Sequence, residues 1–185
     1  MSENEDDEIS SQIKVILLGS TGVGKTSLIT RYKSGKFLAN IPSTCGSNFL
    51  KINKIVNKKK YTLNIWDTAG QEKFQSLVQT YVKNAKIILL VYSIIDKKSF
   101  EDLNEWLTLI KDKNGSKGYS LGIAANKSDL HNEMEVSEKK GEEFAKKAKA
   151  IFKLTSAKED NKGLDELVDE LLKNYIELEE KNNNK

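Results

Sequence analysis

The sequence is poor in several residue types that carry specific functions. It has one cysteine, Cys45, one proline, Pro42, and one arginine, Arg31. A single cysteine rules out a disulfide within the chain and suits a reducing compartment. One arginine among 30 basic residues argues against a nucleic-acid reader, because arginine is the preferred ligand for phosphates and base edges. No apolar run approaches the roughly 20 residues that cross a bilayer, and the acidic start, residues 1–8, is unlike a signal or transit peptide.

The composition that remains predicts one globular domain. The chain has 185 residues, of which 38% are hydrophobic and 31% charged, with a formal net charge of +3. The lysines alternate with acidic residues, as in Glu138–Lys149, which is typical of solvated helix faces. We expect a disordered acidic tail at 1–11, a domain at 12–178 and a polar tail at 179–185.

Hydrophobic patterning predicts strands alternating with helices. Short apolar runs rich in β-branched residues predict strands at 13–18, 48–56, 60–66, 87–92, 121–125 and 151–154. Apolar residues at helical spacing predict helices at 25–33, 100–110, 135–150 and 163–180. This alternation predicts an α/β fold with a mostly parallel, doubly wound sheet, whose ligands bind beyond the carboxyl ends of the strands.

The segment Gly19–Thr26, GSTGVGKT, matches the pattern GxxxxGK[ST] between a predicted strand and a predicted helix. Glycines let the backbone fold around phosphate oxygens, and the following helix directs its positive dipole end at the same anion. Lys25 is expected to reach the terminal phosphates as a catalytic residue, and the Thr26 hydroxyl to bind Mg²⁺. The segment alone does not separate ATP from GTP, or a hydrolase from a kinase. The expected contacts are Ser20, Thr21, Gly22, Val23, Gly24, Lys25, Thr26 and Ser27.

The segment Asn126–Asp129, NKSD, discriminates between the purines. Guanine presents N1–H and the 2-amino group side by side, and one carboxylate accepts from both, whereas N1 of adenine is an acceptor. We assign this contact to Asp129, the packing of an aliphatic stem on the base to Lys127, and a tie to the phosphate loop to Asn126. By itself the segment also suits a helix cap. Its place beyond a strand, in a chain with a phosphate loop, favours the guanine contact.

Two further segments follow predicted strands. In Thr155–Lys158 the backbone amides, chiefly of Ala157 with Ser156 and Lys158 beside it, are expected to donate to the guanine 6-oxo group. In the segment 66–72, WDTAGQE, Asp67 is placed to hold Mg²⁺, since Mg²⁺ prefers carboxylate and water ligands. Gly70 is expected to donate its amide to a γ-phosphate, and Gln71 to orient the attacking water. The alternative for this segment is a plain turn into a helix.

These four segments, in this order and spacing, resemble the nucleotide-binding motifs of Ras-superfamily GTPases, most closely the Rab type. The resemblance covers about residues 13–175. It implies a P-loop GTPase fold with about six strands, one of them antiparallel, and helices on both faces. It also implies that Thr44, in a segment similar to the first switch, closes on Mg²⁺ and the γ-phosphate, that Phe37 packs on the guanine base, and that Trp66 and Phe74 face partners. Two segments differ from the Rab pattern, at 81–85 and 92–95.

The implied function is a small monomeric GTPase that switches between GTP-bound and GDP-bound states in vesicle traffic. Its partners would be an exchange factor, an activating protein and effectors at the switch regions. Arg31 is expected to lie roughly 7–9 Å beyond Lys25 along a helix, leading away from the phosphates, so turnover should be slow until an activating protein supplies an arginine in trans. Thr21 leaves little space near the γ-phosphate, which also predicts slow hydrolysis. The alternative is a guanine-nucleotide-binding scaffold without significant hydrolysis.

The resemblance weakens at the carboxyl end. Rab proteins normally end in prenylated cysteines, whereas residues 179–185 contain none. Membrane association would therefore require a lipidated carboxyl terminus that is missing from this chain. We expect a cytoplasmic protein, including the cytosolic face of intracellular membranes as a location.

Overall fold

The computed structural model describes residues 11–42, 44, 47–68, 75–115, 118–160 and 162–183. The strands are β1 (Ser11–Leu18), β2 (Ser47–Val56), β3 (Lys59–Thr68), β4 (Ile87–Ser93), β5 (Ser120–Asn126) and β6 (Ile151–Leu154). The helices are α1 (Lys25–Ser34), α2 (Gln75–Val82), α3 (Lys97–Glu101), α4 (Leu103–Asn114), α5 (Glu138–Ala148) and α6 (Lys162–Asn183), with a 3₁₀ helix at Ser128–Glu133.

The six strands form one sheet in the order β2-β3-β1-β4-β5-β6. Only β2 runs antiparallel to its neighbour, as a hairpin with β3, and all other pairs are parallel. The predicted fold class is therefore confirmed. Because the parallel strands share a direction, the carboxyl ends of β1, β3, β5 and β6 lie along one edge of the sheet, where ligands of such sheets bind.

Each face of the sheet carries its own hydrophobic core. On one face, Leu28 of α1 and Leu167 and Leu171 of α6 pack against inward residues of β1, β3 and β4. On the other face, α2, α4 and α5 pack against the alternate residues of β1, β4 and β5. The central strands β4 and β5 are buried along their whole length, as continuous apolar runs predict.

The structure differs from the predicted elements in several places. Helix α2 and the 3₁₀ helix at Ser128–Glu133 were not among the predicted helices. The helix expected at 100–110 is divided at Asp102 into α3 and α4. The last helix runs to Asn183, beyond residue 180, since no glycine or proline follows Gly163 to end it. None of the described helices combines the length and the apolar composition that a membrane span requires.

Candidate functional site

A cavity of about 450 Å³ opens at the carboxyl edge of the sheet. The segments after β1, β5 and β6 form its walls, together with the loop between α1 and β2. The predicted residues that line it are Thr21, Gly22, Gly24, Lys25, Thr26, Ser27, Phe37, Thr44, Asn126, Lys127, Asp129, Ala157 and Lys158. The structure therefore brings the phosphate-loop and base-reading segments, about a hundred residues apart in sequence, to one cavity.

Two glycines give the phosphate loop its path. Gly19 has φ +147°, and a Cβ there would lie 2.1 Å from the carbonyl oxygen of Val91. Gly24 has φ +97°, and a Cβ there would lie 2.4 Å from Nδ2 of Asn126. Any side chain at either position would collide with a neighbouring strand end, so the loop depends on glycine for close approach as well as for its dihedral angles.

Lys25 is buried at the start of α1, with 5% of its surface exposed. Its Nζ donates to the carbonyl oxygens of Gly19, at 2.7 Å, and Ser20, at 3.0 Å. Burial lowers the pKa of Lys25 to about 8, and the nearby charge of Asp67 opposes this shift. Two carbonyls do not neutralise an ammonium group, so an anion in the cavity would stabilise its charged form.

The base-reading end is held by hydrogen bonds between segments. Nδ2 of Asn126 donates to the Val23 carbonyl oxygen at 2.8 Å, and Oδ1 of Asn126 accepts from Thr155 Oγ1 at 3.3 Å. Ser156 Oγ donates to Oδ1 of Asp129 at 2.7 Å. These contacts fix the Asp129 carboxylate toward the cavity and join the base-reading end to the phosphate loop, as predicted for Asn126.

Oxygen groups gather at the other end of the cavity. Thr26 Oγ1 and Thr44 Oγ1 lie 2.7 Å apart. Asp67 is 2% exposed; its Oδ2 accepts from Asn48 Nδ2 at 3.5 Å, and its buried Oδ1 has no hydrogen-bond partner. Burial raises the pKa of Asp67, while hydrogen bonds from Thr26 and the charge of Lys25 act in the opposite direction. Two hydroxyls and a carboxylate with an unpartnered oxygen fit a hard cation such as Mg²⁺.

Not every predicted residue lies in the cavity wall. Four predicted residues do not line the cavity, but each contacts a residue that does; they are Ser20 (with Lys25), Val23 (with Asn126), Asp67 (with Thr26) and Ser156 (with Asp129). Gly70, Gln71 and Phe74 lie outside the described residues. Sequence reasoning missed five lining residues, of which only Pro42 carried a local signal; they are Ala39, Ile41, Pro42, Thr68 and Leu130.

Arg31 is not among the residues that line the cavity. Its Nη2 donates to the Glu159 carbonyl oxygen at 3.0 Å, across the gap between α1 and the segment after β6. The guanidinium therefore joins α1 to the segment after β6.

Three aromatic rings pack together on β2, β3 and α2. The Trp66 ring packs 4.9 Å from the Phe49 ring and 4.9 Å from the Tyr81 ring, centroid to centroid. Phe49 remains 48% exposed. An exposed apolar surface of this kind suits a protein partner.

Known proteins are similar to this chain over most of its length. A sequence model of the Ras family matches residues 14–177. The chain is 41% identical over 167 residues to the Ras-related protein Rab-12 of Mus musculus, which covers 88% of this chain and 68% of that protein. It is also similar to Rab-11B of Dictyostelium discoideum, at 38% identity (80% and 67% covered), and to human Rab-30, at 39% identity (79% and 71% covered).

Proposed function

The chain belongs to the Ras family and is a small GTPase, and from this premise we propose that it is a switch that binds GTP and GDP with Mg²⁺ and slowly hydrolyses GTP to GDP and phosphate. Vesicle or membrane traffic is the process we propose it regulates, on the strength of its similarity to Rab proteins.

One observation supports the choice of nucleotide. Lys25, a buried cation, and Asp129, a carboxylate held by Ser156, line the same cavity. A guanine nucleotide carries an anion at one end and two adjacent N–H donors at the other, so it complements both groups at once. An adenine nucleotide would place an acceptor against Asp129.

Mg²⁺ would be held by Thr26, Thr44 and Asp67, whose oxygens lie together at the phosphate end. When bound, the ion would neutralise charge on the phosphates. Because Thr44 lies in the loop before β2, its contact with the γ-phosphate end would couple the conformation of that loop to the nucleotide state.

Hydrolysis requires water to attack the γ-phosphate, so catalysis consists mainly of positioning and charge stabilisation. Lys25 would neutralise the terminal phosphates, and Gln71 would orient the water. Arg31, the one arginine in the sequence, contacts Glu159, so an activating protein would supply the missing arginine in trans.

The proposed readout is a change of surface. Phe49 and Trp66 lie next in sequence to Asn48 and Asp67, and their rings pack together with the ring of Tyr81. We propose this aromatic surface for effectors, with a separate exchange factor to release GDP. The protein would act as a monomer in the cytoplasm or on the cytosolic face of membranes.

Single-turnover hydrolysis of bound GTP tests this proposal. The wild type should convert GTP at roughly 10⁻⁴ to 10⁻² per second, and Gln71→Leu should be at least about tenfold slower. Gln79→Leu, the same change on α2 away from the cavity wall, is the matched control and should match the wild type. Unaided turnover above about 1 per second would contradict the need for an arginine in trans. Stable GTP with no conversion would favour the scaffold without hydrolysis.

A further inference from the structure

Asp102 lies at the junction of two helices. Its N–H donates to the Lys98 carbonyl oxygen at 2.9 Å, closing α3, and its own carbonyl oxygen accepts from Glu105 N at 3.0 Å and Trp106 N at 3.2 Å, opening α4. Phe100 and Leu103, which are close to it in sequence, are buried in the same hydrophobic core. The backbone of Asp102 is therefore fixed from both directions.

The side chain of Asp102 does not cap α4. Asp102 has helical dihedral angles, φ −62° and ψ −18°, and its carboxylate accepts no hydrogen bond from an amide of the first turn. Instead Oδ2 accepts from Ser20 Oγ at 2.7 Å, across the space between α4 and the phosphate loop, and Oδ1 pairs with Lys98 Nζ at 2.6 Å.

Ser20 connects this carboxylate to the phosphate-binding group. The carbonyl oxygen of Ser20 accepts from Lys25 Nζ at 3.0 Å, next to the 2.7 Å contact with Gly19. Because the Ser20 hydroxyl is held by Asp102, the carbonyl group of Ser20 is also restrained. The Asp102 carboxylate is 19% exposed, so its hydrogen bond to Ser20 is partly shielded from water.

We propose that Asp102 is a positioning residue for the phosphate loop: through Ser20 it fixes the carbonyl that orients Lys25, and so it slows the release of nucleotides with two or more phosphates. This inference rests on the proposed function, since it assigns a role to Asp102 in retaining the nucleotide. Lys98 balances the charge of Asp102, which keeps a carboxylate near the phosphates from repelling them.

The test measures the release of fluorescently labelled GDP from the wild type, Ser20→Ala, Asp102→Ala and the double variant. Each single variant should release GDP roughly threefold to tenfold faster, the range for losing one hydrogen bond to a partly exposed charged acceptor. The double variant should be no faster than the faster single variant, because both changes remove the same contact. Glu101→Ala, the neighbouring carboxylate on α3, should stay within about twofold of the wild type.

Affinity for GMP separates positioning from a general structural effect. GMP lacks the β-phosphate that Lys25 would reach, so Ser20→Ala and Asp102→Ala should weaken GDP binding and leave GMP binding unchanged. Three results would each overturn the role of Asp102. They are an equal loss of affinity for GDP and GMP, effects on GDP release that multiply in the double variant, and single variants that release GDP at the wild-type rate. A wild type that bound no GDP would overturn the proposed function as well. If the wild type binds GDP normally, a negative result counts only against the role of Asp102. Because Asp102 makes no side-chain cap contact, Asp102→Ala should fold, and Ser20→Ala provides an independent variant.

Discussion

Lys25 and Asp67 are charged residues that lose hydration because the site buries them. Both side chains are almost fully buried, and burial favours the neutral form of each. It lowers the pKa of Lys25 and raises the pKa of Asp67. Each charge therefore lacks part of the hydration that it would have in water. A polyphosphate would supply the opposite charge to Lys25, and a divalent cation would supply it to Asp67. Binding would therefore offset the desolvation of both buried charges.

Gly24 and Gly22 form a matched pair for testing the loop. Both have positive φ, but only at Gly24 would a Cβ meet another group, Nδ2 of Asn126 at 2.4 Å. Gly22→Ala should therefore lower the free energy of unfolding by about 1–2 kcal/mol for the dihedral alone. Gly24→Ala should lower it by about 1–3 kcal/mol more, because the bond from Asn126 to Val23 is displaced.

Urea unfolding of nucleotide-free protein measures both changes. Equal losses for the two variants would show that the contact between Gly24 and Asn126 does not shape the loop. The difference between the two losses, rather than either value, is the informative quantity, since it cancels the common dihedral term.

The motif residues of the site could be predicted individually from the sequence, because each proposed role requires a particular residue type. Lys25, Asn126 and Asp129 were identified from spacing after predicted strands, and the structure places all three at one cavity. Ala39 and Ile41 were not, because apolar residues in a loop without periodicity carry no sign of what they line. Asp102 was also missed, since its contact with Ser20 joins residues 82 apart in sequence.

At the scale of elements, the β2–β3 hairpin has a turn without glycine. Asn57 has φ +52° and Lys58 φ +64°, the two positive dihedrals of a type I′ turn. Asparagine tolerates this region, whereas lysine is strained there. Lys58→Gly should therefore raise the free energy of unfolding by about 0.5–1 kcal/mol, the relieved strain exceeding the added entropy of the unfolded chain.

Lys59→Gly is the control for this change. Lys59 begins β3 in extended backbone, so glycine there should lower the free energy of unfolding by about 0.5–1 kcal/mol. Thermal or urea unfolding compares the two variants directly. If Lys58→Gly were as destabilising as Lys59→Gly, the positive dihedral at residue 58 would not be a source of strain.

The division of α3 from α4 shows why element boundaries escaped prediction. Phe100, Leu103, Trp106, Leu107 and Ile110 fit one continuous helical stripe, and all five are buried or partly buried on the same core. The periodicity is preserved across the break at Asp102, so hydrophobic pattern cannot detect it. The hydrogen bonds that create the junction are local backbone contacts, which spacing does not encode.

At the scale of the whole molecule, the two halves of the chain form different ends of the cavity. The first half forms the end proposed for the phosphates through the segment after β1 and the carboxyl end of β3, and the second half forms the end proposed for the base through the segments after β5 and β6. Between Ser11 and Ile95 the chain has thirteen basic and only two acidic residues. This charge would attract a polyphosphate to the half that holds Lys25.

The fold itself was predictable because strand and helix alternate regularly, and parallel topology follows from that alternation. The position of the cavity followed from the same rule, since parallel strands bring their carboxyl ends together. The shape of its open side did not, because it depends on the loop from Phe37 to Pro42, whose path no periodic pattern specifies.

Competition between GTP and ATP for the wild type and Asp129→Ala tests the central claim most directly. A carboxylate that accepts two hydrogen bonds from guanine should give the wild type a preference for GTP of at least about 10³. Asp129→Ala should reduce that preference at least about a hundredfold, and Asp112→Ala, an exposed carboxylate on α4, should leave it unchanged. A variant without the Asp129 carboxylate that still chose GTP as strongly as the wild type would contradict the account.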